Sequence, residues 1–177
     1  MANLSISPSP VLLLLLHVLP FLIPTESADL INKTCKKTPD YNLCVSTLQA
    51  NSQSSNTSVE GLASMMANVT LSNATNILNY TQELINHNAD TELEGRLAYC
   101  AEVYISLEQD ILPQAISALA NGEFGFAKYG ISEAGDEVHE CEKKIPESFK
   151  PPLNDMNRIM QNLCDVCVAI INILLKG

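Results

Sequence analysis

Apolar residues recur every three or four positions through four long stretches of the chain, with almost no glycine or proline inside them, and each stretch predicts an amphipathic helix. The first, about 59–88, sets Val59, Ala63, Met66, Thr70, Ala74, Ile77, Thr81 and Leu84 on one stripe, though a register through Leu62 and Val69 fits nearly as well. The second, about 91–120, repeats at Leu93, Leu97, Cys100, Tyr104, Leu107, Ile111, Ala115 and Ala118. Pro113 lies inside it and predicts a bend or a division, because proline removes a backbone donor and crowds the carbonyl four residues earlier. The third, about 126–145, repeats at Ala127, Ile131, Ala134, Val138, Cys141 and Ile145. The fourth, 153–175, repeats at Leu153, Met156, Met160, Leu163, Cys167, Ile170 and Leu174. Short connections at 121–125 and 146–152 make neighbours antiparallel. The pattern predicts an all-α fold, an up-down-up-down four-helix bundle.

Before the bundle, residues 30–37 and 41–49 read as two short helices joined at Pro39, an N-terminal helical hairpin, and a Ser/Asn-rich linker at 51–58 follows. The apolar run 11–23, interrupted by His17 and Pro20, is too short to span a bilayer and ends in the small-residue exit Thr25-Glu26-Ser27. Residues 1–27 are expected to be a cleaved secretory signal, in preference to an uncleaved anchor, although no Lys or Arg precedes the apolar run. The remaining 28–177 is expected to be a single domain, with the hairpin at 28–50 and the bundle at 57–177.

Cleavage after Ser27 leaves ten basic and nineteen acidic residues, a net charge of −9, which repels phosphate backbones and anionic membranes. No nucleic-acid partner is expected, and no membrane for the mature form. Cys35, Cys44, Cys100, Cys141, Cys164 and Cys167 all lie beyond the signal, where an oxidising destination favours disulfides. Counting alone does not give the connectivity. Cys100 and Cys141 fall on the seams of helices joined by a tight turn, and Cys35 and Cys44 bracket Pro39, so the preferred pairing is Cys35–Cys44 and Cys100–Cys141. The two bonds would contribute about 3 and about 4 kcal/mol as upper figures. Sequons at Asn32, Asn56, Asn68, Asn73 and Asn79 agree with the secretory route. Asn68 and Asn79, eleven residues apart, fall on one outward stripe.

Several chemical readings fail on the residues themselves. Cys164-Asp165-Val166-Cys167 has the C-x-x-C spacing, but it lies mid-helix in an apolar run and not at a helix N-terminus beside a βαβ unit, so buried thiols or a local disulfide are expected. His139-Glu140-Cys141 is discounted as part of a zinc site because Cys141 is claimed by a disulfide. The mature chain has only His87 and His139 and no Gly-x-Ser-x-Gly, which disfavours a nucleophilic triad. The scattered acids read as solvated helix faces and not as a glycosidase pair. The turn Asn121-Gly122-Glu123-Phe124-Gly125-Phe126 stands apart, since a bundle-end turn needs no aromatics. Either one Phe caps the core while Gly125 takes a positive φ, or a phenylalanine protrudes as an anchor for a partner's pocket.

Thr34-Cys35-Lys36-Lys37-Thr38-Pro39-Asp40-Tyr41-Asn42-Leu43-Cys44, Gly61-Leu62-Ala63, the Cys100-Ala101-Glu102-Val103-Tyr104 segment, the stretch 134–141 and the ending 163–175 together resemble the plant invertase inhibitor and pectin methylesterase inhibitor family. The likeness covers nearly all of 28–177. It implies a four-helix bundle behind a helical hairpin, the same two disulfides, no cofactor, no enzymatic activity, and inhibition of a target enzyme by one-to-one complex formation. The Thr38–Cys44 stretch is more similar to inhibitors of acid invertase (β-fructofuranosidase) than to pectin methylesterase inhibitors, which stand as the alternative, with a non-inhibitory secreted bundle as a second. Invertase inhibitors of this family commonly carry Pro-Lys-Phe between the second and third bundle helices, contacting the invertase cleft. That triplet aligns with Phe124-Gly125-Phe126, which keeps the phenylalanine but neither the proline nor the lysine; Lys128 lies two residues beyond. The implied target-binding residues are Glu123, Phe124, Gly125, Phe126 and Lys128, and the implied destination is the apoplast ahead of the vacuole.

Overall fold

The structure, a computed structural model, describes residues 25–51, 58–146 and 152–177. The apolar run of the expected signal and the Asn56 sequon lie outside the described residues. Among those described, every regular element is helical. The first helix, α1 (Thr25–Cys35), starts inside the segment assigned to the signal and earlier than residue 30. It folds back on α2 (Tyr41–Ala50) through Lys36–Asp40, and Cys35 is joined to Cys44 with Cα atoms 5.5 Å apart. Asp40 sets the start of α2: its carboxylate accepts from Leu43 N–H at 2.9 Å, satisfying a donor the helix cannot.

The bundle begins with α3 (Val59–His87), capped by Ser58 Oγ, which accepts from Gly61 N–H at 3.1 Å. Its buried face follows the stripe through Ala63, Met66, Thr70, Ala74, Ile77 and Thr81, widened by Leu62, while Val59, Val69 and Leu84 are only half-buried. Two threonines survive in this core because each hydroxyl donates to the carbonyl four residues back, Thr70 to Met66 at 2.9 Å and Thr81 to Ile77 at 2.8 Å. After a three-residue link, α4 (Thr91–Ser106) starts at Asp90, whose side chain accepts from the Glu92 and Leu93 N–H groups.

Pro113 does divide the second rod, and the division takes the form of a wider turn. Residues Leu107–Ile111 form a π turn in which Leu112 N–H donates to Leu107 C=O, five residues back, before α5 (Leu112–Ala120) resumes. A regular helix would drive the Pro113 ring against the Gln109 carbonyl; the extra residue opens that turn. It also shifts the register: Leu112 is fully buried where the regular repeat called for Ile111, and Ile111 is left half-buried. Thr75 of α3 donates to Glu108 of the π turn at 2.6 Å, tying the turn to its neighbour.

The remaining rods are α6 (Phe124–Lys144) and α7 (Pro152–Leu175). Every expected α6 position, from Ala127 to Cys141, is buried. Helices α3, α4–α5, α6 and α7 pack in a ring, so α3 and α6 stand diagonally across the bundle, and the hairpin packs on α3 and α7. Cys100 and Cys141 join α4 to α6 with Cα atoms 4.9 Å apart. Beside that bond lies a polar contact the apolar repeat did not reveal. Asn157 of α7 is wholly buried, accepts from Tyr104 OH at 2.8 Å and donates to Cys141 Sγ at 3.4 Å. Burial drives the Tyr104 phenol well above its usual pKa, which keeps it a hydrogen donor. Cys164 and Cys167 are free and buried; burial pushes the Cys164 thiol up to about 12, and Cys167 is raised by burial and by Cys164.

Candidate functional site

The α5–α6 turn is shorter than expected, because Phe124 and Gly125 already belong to the first turn of α6 and only Asn121–Glu123 connects the helices. Gly122 N–H donates to Leu119 C=O at 3.1 Å, and Glu123 N–H to Ala118 C=O at 2.8 Å. That double closure requires a left-handed residue between them, and Gly122 supplies it with φ +75. The positive φ thus belongs to Gly122 and not to Gly125, which is helical and exposed. Smallness is not required at Gly125 either: a Cβ there would meet nothing within 4 Å.

Both readings of the aromatics turn out to hold, one for each ring. Phe124 is half-buried and packs on the core, whereas Phe126 is 75% exposed. Two residues on a helix differ by about 200° in direction, so the rings leave α6 on opposite sides. The same geometry places Tyr129, 68% exposed, on the flank of Phe126 one turn on. Tyr129 lies beyond the turn and outside the expected set; its signal in the sequence is the i, i+3 spacing to Phe126 off the apolar seam. These are the two most exposed large apolar side chains among the described residues.

Phe126 and Tyr129 rim an open groove of about 570 Å³ between α5 and α6, floored by Ala115 and Ala118 and flanked by Glu123 and Glu133. The groove exists because Gly130 lets the helices touch: a Cβ there would lie 3.1 Å from Ala115 Cβ. Lys128 does not join it. It is half-buried and about 160° round the helix from Phe126, toward the flank where Gly135 faces Cys164 of α7. Of the five residues implied for target binding, Glu123 and Phe126 line the groove, Phe124 faces the core, Gly125 is a bare helical position and Lys128 lies on the other flank. No three His, Cys, Asp or Glu side chains among the described residues converge as metal ligands. His139 is exposed, with Nδ1 3.7 Å from Glu142. The thiols of Cys164 and Cys167 are too buried for chemistry with a dissolved substrate.

Fold and surface define a disulfide-tied helical bundle whose distinctive feature is an exposed aromatic edge, the form of a protein that binds another protein. The family model described as "Plant invertase/pectin methylesterase inhibitor" matches residues 29–170, and the chain belongs to that family. It is 32% identical over 145 residues to cell wall / vacuolar inhibitor of fructosidase 1 of Arabidopsis thaliana, covering 82% of this chain and 69% of the relative. It is also 32% identical over 140 residues to inhibitor of fructosidase 2 of the same plant, covering 75% and 77%. Among solved structures, a mutant form of a pectin methylesterase inhibitor from Arabidopsis superposes with a TM-score of 0.69 over 78% of this chain and 92% of that one. At 24% identity that likeness speaks for the fold.

Proposed function

We propose that the protein is a secreted inhibitor of plant acid invertase, not itself an enzyme, which blocks the invertase cleft by docking its α5–α6 edge in a one-to-one complex. The observation that carries this is the Phe126–Tyr129 pair, exposed aromatics one helical turn apart at the rim of a groove, the arrangement from which interface hot spots are built. Support for the target comes from the relatives named as inhibitors of fructosidase, each 32% identical to this chain. Residues 1–27 act as the secretory signal in this reading, and the extracellular space is preferred to the vacuole as the destination.

A second reading, inhibition of pectin methylesterase, is favoured by one observation: Phe124-Gly125-Phe126 lacks the proline and lysine of the invertase-type triplet. Titration of purified acid invertase and of purified pectin methylesterase with the protein separates the two. Loss of sucrose cleavage at equimolar protein is the expected result. Loss of pectin demethylation alone would replace the proposal with the second reading, and loss of neither would assign a non-inhibitory bundle.

A further inference from the structure

We propose that Asn68 and Asn79 carry N-linked glycans that project from one strip of α3 and screen its outer face, diagonally opposite α6. Eleven residues bring Asn79 to within about 20° of Asn68 around the helix axis, whereas Asn73 is turned by about 140° from it. The burial pattern agrees: Asn68 and Asn79 are exposed, as are Ser72 and Asn76 on the strip between them, while Asn73 is half-buried beside Met65 and Val69. A glycan at Asn68 is compatible with the fold, because its Nδ2 donates to Ser64 C=O at 2.7 Å and a glycosylated amide keeps one N–H for that bond. Asn73 makes the same kind of bond, its Nδ2 donating to Val69 C=O at 3.0 Å, but from a partly covered position off that strip.

The third residues of the two sequons fix when the modification occurs. Thr70 and Thr81 are fully buried, with their hydroxyls engaged by Met66 and Ile77 carbonyls. Once α3 has packed, no enzyme reaches those hydroxyls, so attachment belongs to the chain before folding. The folded bundle then fixes the direction in which each attached glycan projects. Two bulky hydrophilic chains on α3 bar macromolecules from that face and leave the α5–α6 edge open, a consequence that rests on the docking surface proposed above.

The test uses the full chain secreted from a plant host. N-glycans are released enzymatically in heavy-oxygen water, and the peptides are read by mass spectrometry. Heavy-labelled aspartate at positions 68 and 79 is the expected result. Absence of label at either 68 or 79 overturns the occupancy claim, and this reading holds whether or not any enzyme is inhibited. The variants Asn68→Gln and Asn79→Gln should each remove one glycan mass, and the double variant should inhibit within about twofold of the parent. A change of about tenfold in inhibition would place α3 in the contact surface and overturn the screening claim.

Discussion

Truncating Phe126 separates docking from folding because so little of the ring is used by the fold. A phenylalanine side chain presents roughly 200 Å², and with 75% of Phe126 exposed, docking has about 150 Å² left to bury. At about 25 cal/mol per Å² that area corresponds to about 4 kcal/mol as a ceiling. Alanine keeps the Cβ, and association converts buried area incompletely, so Phe126→Ala should weaken inhibition by about 2 kcal/mol, about thirtyfold in inhibition constant. The same substitution removes few intramolecular contacts, and the melting temperature should move by no more than about 2 °C. The assay is inhibition of sucrose cleavage by purified acid invertase across a protein titration, with a thermal melt of each variant. Tyr129→Ala should give a smaller loss in the same direction, and a double-mutant cycle should show coupling between rings one turn apart. If Phe126→Ala unfolds the bundle, or leaves inhibition unchanged while Phe124→Ala abolishes it, the assignment of the protruding ring as anchor is wrong.

Gly122→Ala should destabilise the protein by about 1–2 kcal/mol in denaturant melts, since alanine is strained at φ +75, whereas Gly125→Ala should be neutral or stabilising by up to about 1 kcal/mol because that position is helical. Equal effects at the two glycines would contradict the turn geometry. Tyr104→Phe should cost about 1–3 kcal/mol by leaving the buried Asn157 carbonyl without its donor, and a melting temperature equal to the parent's would refute that contact. Cys164 and Cys167 should resist maleimide at pH 8 in the native state, being buried and raised well above that pH, and should label at once in denaturant. Rapid native labelling would expel them from the core.

Much of the architecture is legible in the order of residues, because helix period and turn chemistry are local properties. The α6 seam, the α7 seam apart from the half-buried Met156 and Leu174, the Pro39 hairpin and the pairing of cysteines at facing seam positions all follow from spacing of three and four and from what proline cannot do. The single face of α3 was less legible, since a register through Leu62 and Val69 fits the spacing nearly as well; packing buries Leu62 beside the stripe and leaves Val69 half-buried. Only packing in three dimensions decided the rest. The π turn before Pro113 moved Leu112 into the core in place of Ile111, because a helix under steric pressure inserts a residue when its neighbours hold both ends in place. Asn157 found its place beside Tyr104 and the Cys100–Cys141 bond through contacts 53 and 16 residues apart, which no local pattern encodes. At the candidate site, the residue types Phe, Gly and Phe spoke of something unusual at the bundle end. Which ring is buried and which protrudes was settled by where α6 begins, for a start two residues earlier turns one phenylalanine onto the core and the other, with Tyr129, into solvent.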